Sequence, residues 1–154
     1  MAFPSAAGNQ IFPVGAGEVF GQIGVISSYI VFEENIEAGK FVKYNKTVDG
    51  IEKINGSANP TIAGVVKRNV TDAVESYGVC IQELTNKIDV VESGIVTVEV
   101  VEGLTINKFD KVYVCNDGNN SGELGKATNQ DTGVGIDGYF YKKISDNVWA
   151  IRIK

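Results

Sequence analysis

Polar and hydrophobic residues alternate most clearly between Val90 and Cys115, VVESGIVTVEVVEGLTINKFDKVYVC. Val96, Val98 and Val100 fall on one side of an extended chain, and Thr97 and Glu99 on the other. That period of two marks a strand with one buried face and one face toward water. Glu102-Gly103 breaks the run. Asp110 then opens a second strand, Lys111 to Cys115, from a position where its carboxylate is able to accept from backbone N–H groups and fix the turn. Two strands joined by a polar bend predict an antiparallel pair.

The same pattern recurs along the chain. Ile23 to Glu33 reads as a strand, densest at Tyr29 to Phe32. Phe41 to Tyr44 follows a glycine turn. Asp49-Gly50 is a tight-turn pair, and Ile51 to Ile54 returns from it. Asn55-Gly56 and Pro60 punctuate the next loop, and Ile62 to Lys67 is the next strand. Val79 to Val91 reads as extended. Asn116 to Gly122 is a long exposed turn. Gly138 to Tyr141 and Val148 to Ile153 pair as a final hairpin across Ser145 to Asn147. In its last strand Trp149, Ile151 and Ile153 share one face, and Ala150, Arg152 and Lys154 the other. Thr71 to Ser76 alone carries helix signals, with Thr71 as cap and Glu75 in the first turn, and Gly78 ends it after barely one turn. The prediction is an all-β domain over residues 23–154, a β-sandwich or small β-barrel, jelly-roll-like in kind.

Residues 1–22 differ. Phe3, Ile11, Phe12, Val14, Val19 and Phe20 lie among glycines, Pro4 and Pro13 with no regular period. Such a segment does not fold alone, yet it holds three phenylalanines that gain from a partner surface. It is expected to be an extended arm that packs on its own domain or docks on a neighbouring subunit. Phe3, Phe12, Val14 and Phe20 are its candidate contact residues.

Composition narrows the chemistry. A chain of 154 residues is one domain and buries a core without disulfides or metal. Abundant Val, Ile, Gly and Asn favours short strands and tight turns. The net charge is −5 and no basic run is longer than a pair such as Lys67-Arg68, which argues against a nucleic-acid face. No apolar run approaches the ~20 residues of a membrane span. The N-terminus lacks a signal peptide's basic start and apolar core, so export is not expected. The Asn-X-Ser/Thr triplets at Asn45, Asn55, Asn69 and Asn119 therefore read as turn chemistry. Cys80 and Cys115 sit in apolar runs and read as buried thiols. A disulfide between them has no secretory context.

The sequence contains no histidine. That removes Ser-His and Cys-His nucleophile pairs and His-ligated zinc, and two cysteines do not make a four-thiolate site. Gly133 to Gly138 matches GxGxxG in letters, but Tyr139-Phe140-Tyr141 after it is strand material, where a phosphate loop needs a helix. Ile136-Asp137 before Tyr139 is similar to the Ile-Asp-x-x-Tyr element of dUTP pyrophosphatases, with the spacing off by one and their other motifs absent. Asn116 to Asn119 lacks the later bidentate acid and flanking helices of a calcium loop. No catalytic residue, metal or cofactor is expected. Tyr139, Tyr141 and Trp149, if exposed, would form a platform for a carbohydrate- or surface-binding module, the alternative to the function given next.

The order of elements carries a resemblance. Glu37 to Tyr44 (EAGKFVKY), Ala63 to Arg68 (AGVVKR), Ser76 to Val79 (SYGV) and Val91 to Val98 (VESGIVTV) come first. Lys108 to Val114 (KFDKVYV), Gly122 to Gly125 (GELG), Gly138 to Tyr141 (GYFY) and Trp149 to Ile153 (WAIRI) follow. Over residues 36–154 this succession resembles the structural cement, or capsid decoration, proteins of tailed bacteriophages. Those proteins more often have Gly-Asp before the Val-Tyr strand, where this chain has Phe109-Asp110, and a Gly before the position of Ala150. The resemblance implies an all-β structural protein of the virion without catalytic residues, made in the host cytoplasm. It implies binding to the major capsid protein on the outer surface of the head, as a small homo-oligomer, a dimer or trimer.

Overall fold

The computed structural model describes residues 16–17, 19–31, 36–68, 87–119 and 121–154. Over these described residues it is all-β, with eleven strands in two antiparallel sheets. The first sheet contains β1 (Val19–Ile23), β7 (Gly94–Glu99), β11 (Val148–Ile153), β10 (Val134–Ser145), β8 (Lys111–Val114) and β9 (Ala127–Thr128), in that spatial order. The second contains β2 (Ile26–Ile30), β6 (Lys87–Val91), β5 (Ile62–Val66), β3 (Phe41–Tyr44) and β4 (Ile51–Lys53). A single 3-10 turn at Ser121–Glu123 is the helical element among the described residues. The sandwich expected from the alternation is therefore the architecture. Its connectivity differs from the interleaved path of a jelly roll: β2 to β6 fill one sheet and β7 to β11 the other.

Each sheet curls back on itself and is closed by an isolated bridge. Val31, just past β2, forms a parallel bridge to Ile51 at the start of β4. The second sheet thereby wraps a core of Val31, Ile36, Val42, Ile51, Val66 and Val90. Val100, just past β7, bridges Ala127 of β9 in the same way. The first sheet wraps Val96, Val98, Val112, Phe140, Trp149 and Ile151, and Phe41, Val65 and Val91 of the second sheet join this core. Consecutive residues Val65-Val66 and Val90-Val91 are thus buried on opposite faces of one sheet. That two-sided burial explains why β5 and β6 are richer in adjacent apolar residues than strict alternation allows. Each buried valine contributes about 1.5–3 kcal/mol.

Three expectations change here. The boundary after Gln22 cuts through β1, because Val19 pairs with Val96 and Ile23 with Gly94. The segment ahead of the domain lacks an apolar period, but a strand paired along one edge does not need one. Thr97, expected to face water, is fully buried like its neighbours Val96 and Val98. Thr71 to Ser76, residues 79–86 and Cys80 lie outside the described residues. Cys115 is a free, half-buried thiol at the end of β8 rather than a core residue.

The two sheets are joined twice. β1 runs into β2 through Gly24-Val25, and β6 runs into β7 through Glu92-Ser93. The Glu92 N–H donates to the Val25 carbonyl at 2.8 Å and the Val25 N–H to Ser93 Oγ at 2.9 Å. One two-stranded ribbon therefore passes from the second sheet into the first. A second seam lies just ahead of β1. The Gly17 N–H donates to the Thr97 carbonyl at 2.6 Å, and the Gly17 carbonyl accepts from Arg68 N–H at 2.9 Å. The Gly39 N–H donates to the Val66 carbonyl at 2.9 Å, and its carbonyl accepts from Glu99 N–H at 3.0 Å. Gly17 and Gly39 both hold φ +84°, and a Cβ on Gly39 would lie 1.9 Å from that of Ala16. Only glycine permits this conformation together with this approach.

Glu99 stands at the same seam. Burial raises its carboxyl pKa. Lys40 and Lys126 partly offset that, and Glu37 and Glu123 add to it. A carboxyl whose pKa is raised by folding contributes stability that is full below the unfolded value, about pH 4, and is lost as pH rises through the folded value. Glu99→Gln is therefore expected to raise the melting temperature at pH 7 and to leave it nearly unchanged at pH 4. Melting curves at both pH values check it; equal effects at both would remove the burial assignment.

Candidate interaction surface

Asp110 fixes the loop that presents this surface. Its Oδ2 accepts from Asn107 N–H and from Asn129 Nδ2, each at 2.9 Å. Those two hydrogen bonds, the Asn107 backbone first, hold its carboxyl below the usual range. This is the turn-fixing role read from the sequence. The Phe109 N–H donates to the Phe140 carbonyl at 2.8 Å, and Phe140 N–H to the Asp110 carbonyl at 2.9 Å, which ties the loop to β10.

Phe109 itself sits at φ +75° and is 66 % exposed. A bulky residue in the left-handed region costs on the order of 1–3 kcal/mol of local strain. Burial of its ring does not repay that within this chain. Its ring lies 5.6 Å from that of Tyr139, tilted by 51°. Lys108 Nζ stands 5.2 Å from the Phe109 ring centre and 5.4 Å from that of Tyr141.

Strand pairing extends the group across the sheet. Tyr139 pairs with Lys111 of β8 on one side and with Arg152 of β11 on the other, and Arg152 pairs with Ile95 of β7. Directly paired residues share a face. Lys111, Tyr139, Arg152 and Ile95 therefore form one row across four strands. An irregularity between Phe140 and Lys142 inserts Tyr141 beside this row. Lys111 Nζ lies 5.3 Å from the Tyr113 ring centre, and Lys154 Nζ 5.7 Å from that of Tyr139. The result is a face of four aromatic rings, Phe109, Tyr113, Tyr139 and Tyr141, with Lys108, Lys111, Arg152 and Lys154 exposed among them. The opposite face of the same strands carries Phe140 and Trp149, packed edge to face at 5.6 Å inside the core.

The sequence read this surface in part. Tyr139 and Tyr141 are where the alternation places them. Trp149 is not: it is 7 % exposed and belongs to the core, so the three-ring platform expected for a carbohydrate module does not form. Phe109, Lys108 and Lys111 were missed as a group because they come from a loop and a strand remote in sequence from Arg152 and Lys154. The available signal was a phenylalanine in a turn, directly before the turn-fixing Asp110. Of the arm residues, Phe3, Phe12 and Val14 lie outside the described residues, and Phe20 falls within β1.

Other chemistry is sparse. The Tyr29 and Tyr44 hydroxyls lie 3.1 Å apart, and Tyr44 donates to Glu92 Oε1 at 3.4 Å. The Tyr44 hydrogen bond, then burial, raises the Tyr29 pKa. A cleft of about 310 Å³ opens beside this group between Phe41, Pro60, Ile62, Val134 and Ile153. The GxGxxG letters fall on the start of β10, a strand with no helix after it. Asn116 Oδ1 accepts from Gly56 N–H and its Nδ2 donates to the Ser57 carbonyl, while Asp117 accepts from Asn119 N–H. The calcium-like letters thus serve a turn. Among the described residues no group of His, Cys, Asp or Glu has a metal-binding arrangement.

The chain is similar to a chain in the solved structure of the capsid of Myoviridae phage XM1. The two are 33 % identical, with a TM-score of 0.79, and the likeness covers 100 % of this chain and 98 % of that one. Among curated proteins nothing matches. The resemblance to capsid proteins of tailed phages is borne out, because the model of one such family matches residues 13–154. The chain belongs to the XM1 gp53 minor capsid protein family.

Proposed function

We propose that this chain is a structural protein of a tailed-phage head, a cement protein that binds the outer surface of the capsid and clamps neighbouring major capsid protein subunits. It acts without catalysis, as a small homo-oligomer. The observation that carries the reading is the likeness over the whole chain to a chain of a phage capsid. The physics agrees with it. A curled two-sheet body with two cores is a stiff platform, and many symmetric copies turn a modest contact into avidity. Purified chain added to heads assembled without it is expected to give saturable density on the outside in cryo-electron microscopy and to raise the temperature at which heads break open. Absence of binding, or density only inside the shell, would overturn the reading.

The arm ahead of the domain is the second clamp. It carries Phe3, Phe12 and Val14, and extended chain reaches up to ~3.3 Å per residue. Anchored aromatics dominate small interfaces. A chain beginning at Ala16 is expected to melt nearly as the full chain does while co-sedimenting with heads much more weakly. A chain beginning at Gly24 loses β1 and the Gly17 bonds, so its melting is expected to fall sharply. Full-strength binding by the chain that begins at Ala16 would remove the arm from the interface.

A further inference from the structure

We propose that the outer face of the first sheet docks an acidic, extended segment of another protein, with Phe109 as its apolar anchor. This deepens the capsid reading and rests on it: the occupant is a carboxylate-bearing segment of the capsid shell. Three observations converge. Phe109 is held in a left-handed turn and in water, an arrangement that core packing does not explain. Lys108 stands beside it, and Lys111, Arg152 and Lys154 lie on the same face; all four are exposed, and among the described residues none of them forms an ion pair. Lys40, Lys43, Lys126 and Lys143, which lie elsewhere, each pair with a carboxylate. A chain of net charge −5 has thus gathered four unneutralised cations on one face. The exposed Asp137, two residues from Tyr139, and Asp110, next to Phe109, are acids close to these cations in sequence.

The chemistry selects among occupants. Ammonium groups stand over the rings of Phe109, Tyr113, Tyr139 and Tyr141, the positions a stacked sugar would need. A nucleic acid is repelled at long range by the net charge, and four cations make a short phosphate track. An acidic peptide meets both features. Its carboxylates take the ammonium and guanidinium hydrogens, and its backbone or an apolar side chain covers the exposed ring.

The test uses the full chain and heads assembled without it. Phe109→Gly, Lys108→Glu with Lys111→Glu, and the exposed control Ser145→Glu are compared by co-sedimentation and by melting. Phe109→Gly is expected to weaken binding by about tenfold while melting holds or rises, because glycine relieves the positive φ. A residue with a merely structural role would lower the melting instead. The double charge reversal is expected to weaken binding at least as much. Wild-type binding is expected to fall with added salt and with polyglutamate as competitor, and Ser145→Glu is expected to bind as wild type does. If wild type binds and the face variants bind equally well, the face is wrong and the capsid reading stands. If wild type does not bind heads at all, the capsid reading fails and the proposal with it. Variants that change only self-association, or only binding to an oligonucleotide or a glycan, overturn the acidic-segment assignment.

Discussion

Val98→Asp is expected to leave no cooperatively folded protein. Val98 is fully buried in β7, between Val96 and Val100 in the first core and opposite Trp149 of β11. An aspartate there buries a carboxylate without a partner, at a cost of at least about 5 kcal/mol. That is comparable with the whole stability of a domain, about 5–15 kcal/mol. Circular dichroism and size exclusion are expected to show a disordered or aggregated chain. Thr97→Asp is expected to be nearly as damaging, because Thr97 is buried on the other face of the same strand. Ser145→Asp, on an exposed position of β10, is the tolerated control. Folding of the Val98 variant with unchanged melting would remove the assigned register.

Gly39→Val is expected to have the second largest effect. The new side chain meets the backbone and Cβ of Ala16 at distances that real atoms do not adopt, and the φ of +84° disfavours a β-branched residue on its own. The substitution also pushes apart the bonds from Gly39 to Val66 and to Glu99, which hold the second sheet to the first. A loss of about 3 kcal/mol or more corresponds to about 6–12 °C in melting temperature for a chain of this size. Thermal melting followed at 222 nm checks it. A variant that melts within a degree or two of wild type would mean that the seam is not a fixed contact.

The sequence made the strands legible and left their partners obscure. Val96 to Val100, Phe41 to Tyr44, Ile62 to Val66 and Lys111 to Val114 all carried the pattern that the sheets adopt. Period-two alternation reports which residues share a face, and says nothing about whether the second face is also covered. Alternation alone therefore turns Thr97 toward water. Val65-Val66 and Val90-Val91 were the visible warning, since adjacent buried valines require two cores. Trp149 illustrates the same limit from the other side: alternation grouped it with Ile151 and Ile153, and the aromatic platform contradicted that grouping. The candidate surface was less legible than the fold. Its cations come from the loop at Lys108, from β8 and from β11, and strand order rather than chain order brings them together. No local motif carries that information.

The ribbon that passes between the sheets sets how the chain acquires its structure. β1 waits for β7, and β2 waits for β6, so the opening strands have no partners until residues near 87–99 have been made. Closing so long a loop is entropically slow, and pairings remote in sequence delay folding. Neither curled sheet completes alone, because one continuous ribbon supplies β1 and β7 to the first and β2 and β6 to the second. A chain with two cores is accordingly expected to fold late in synthesis and to unfold in a single transition.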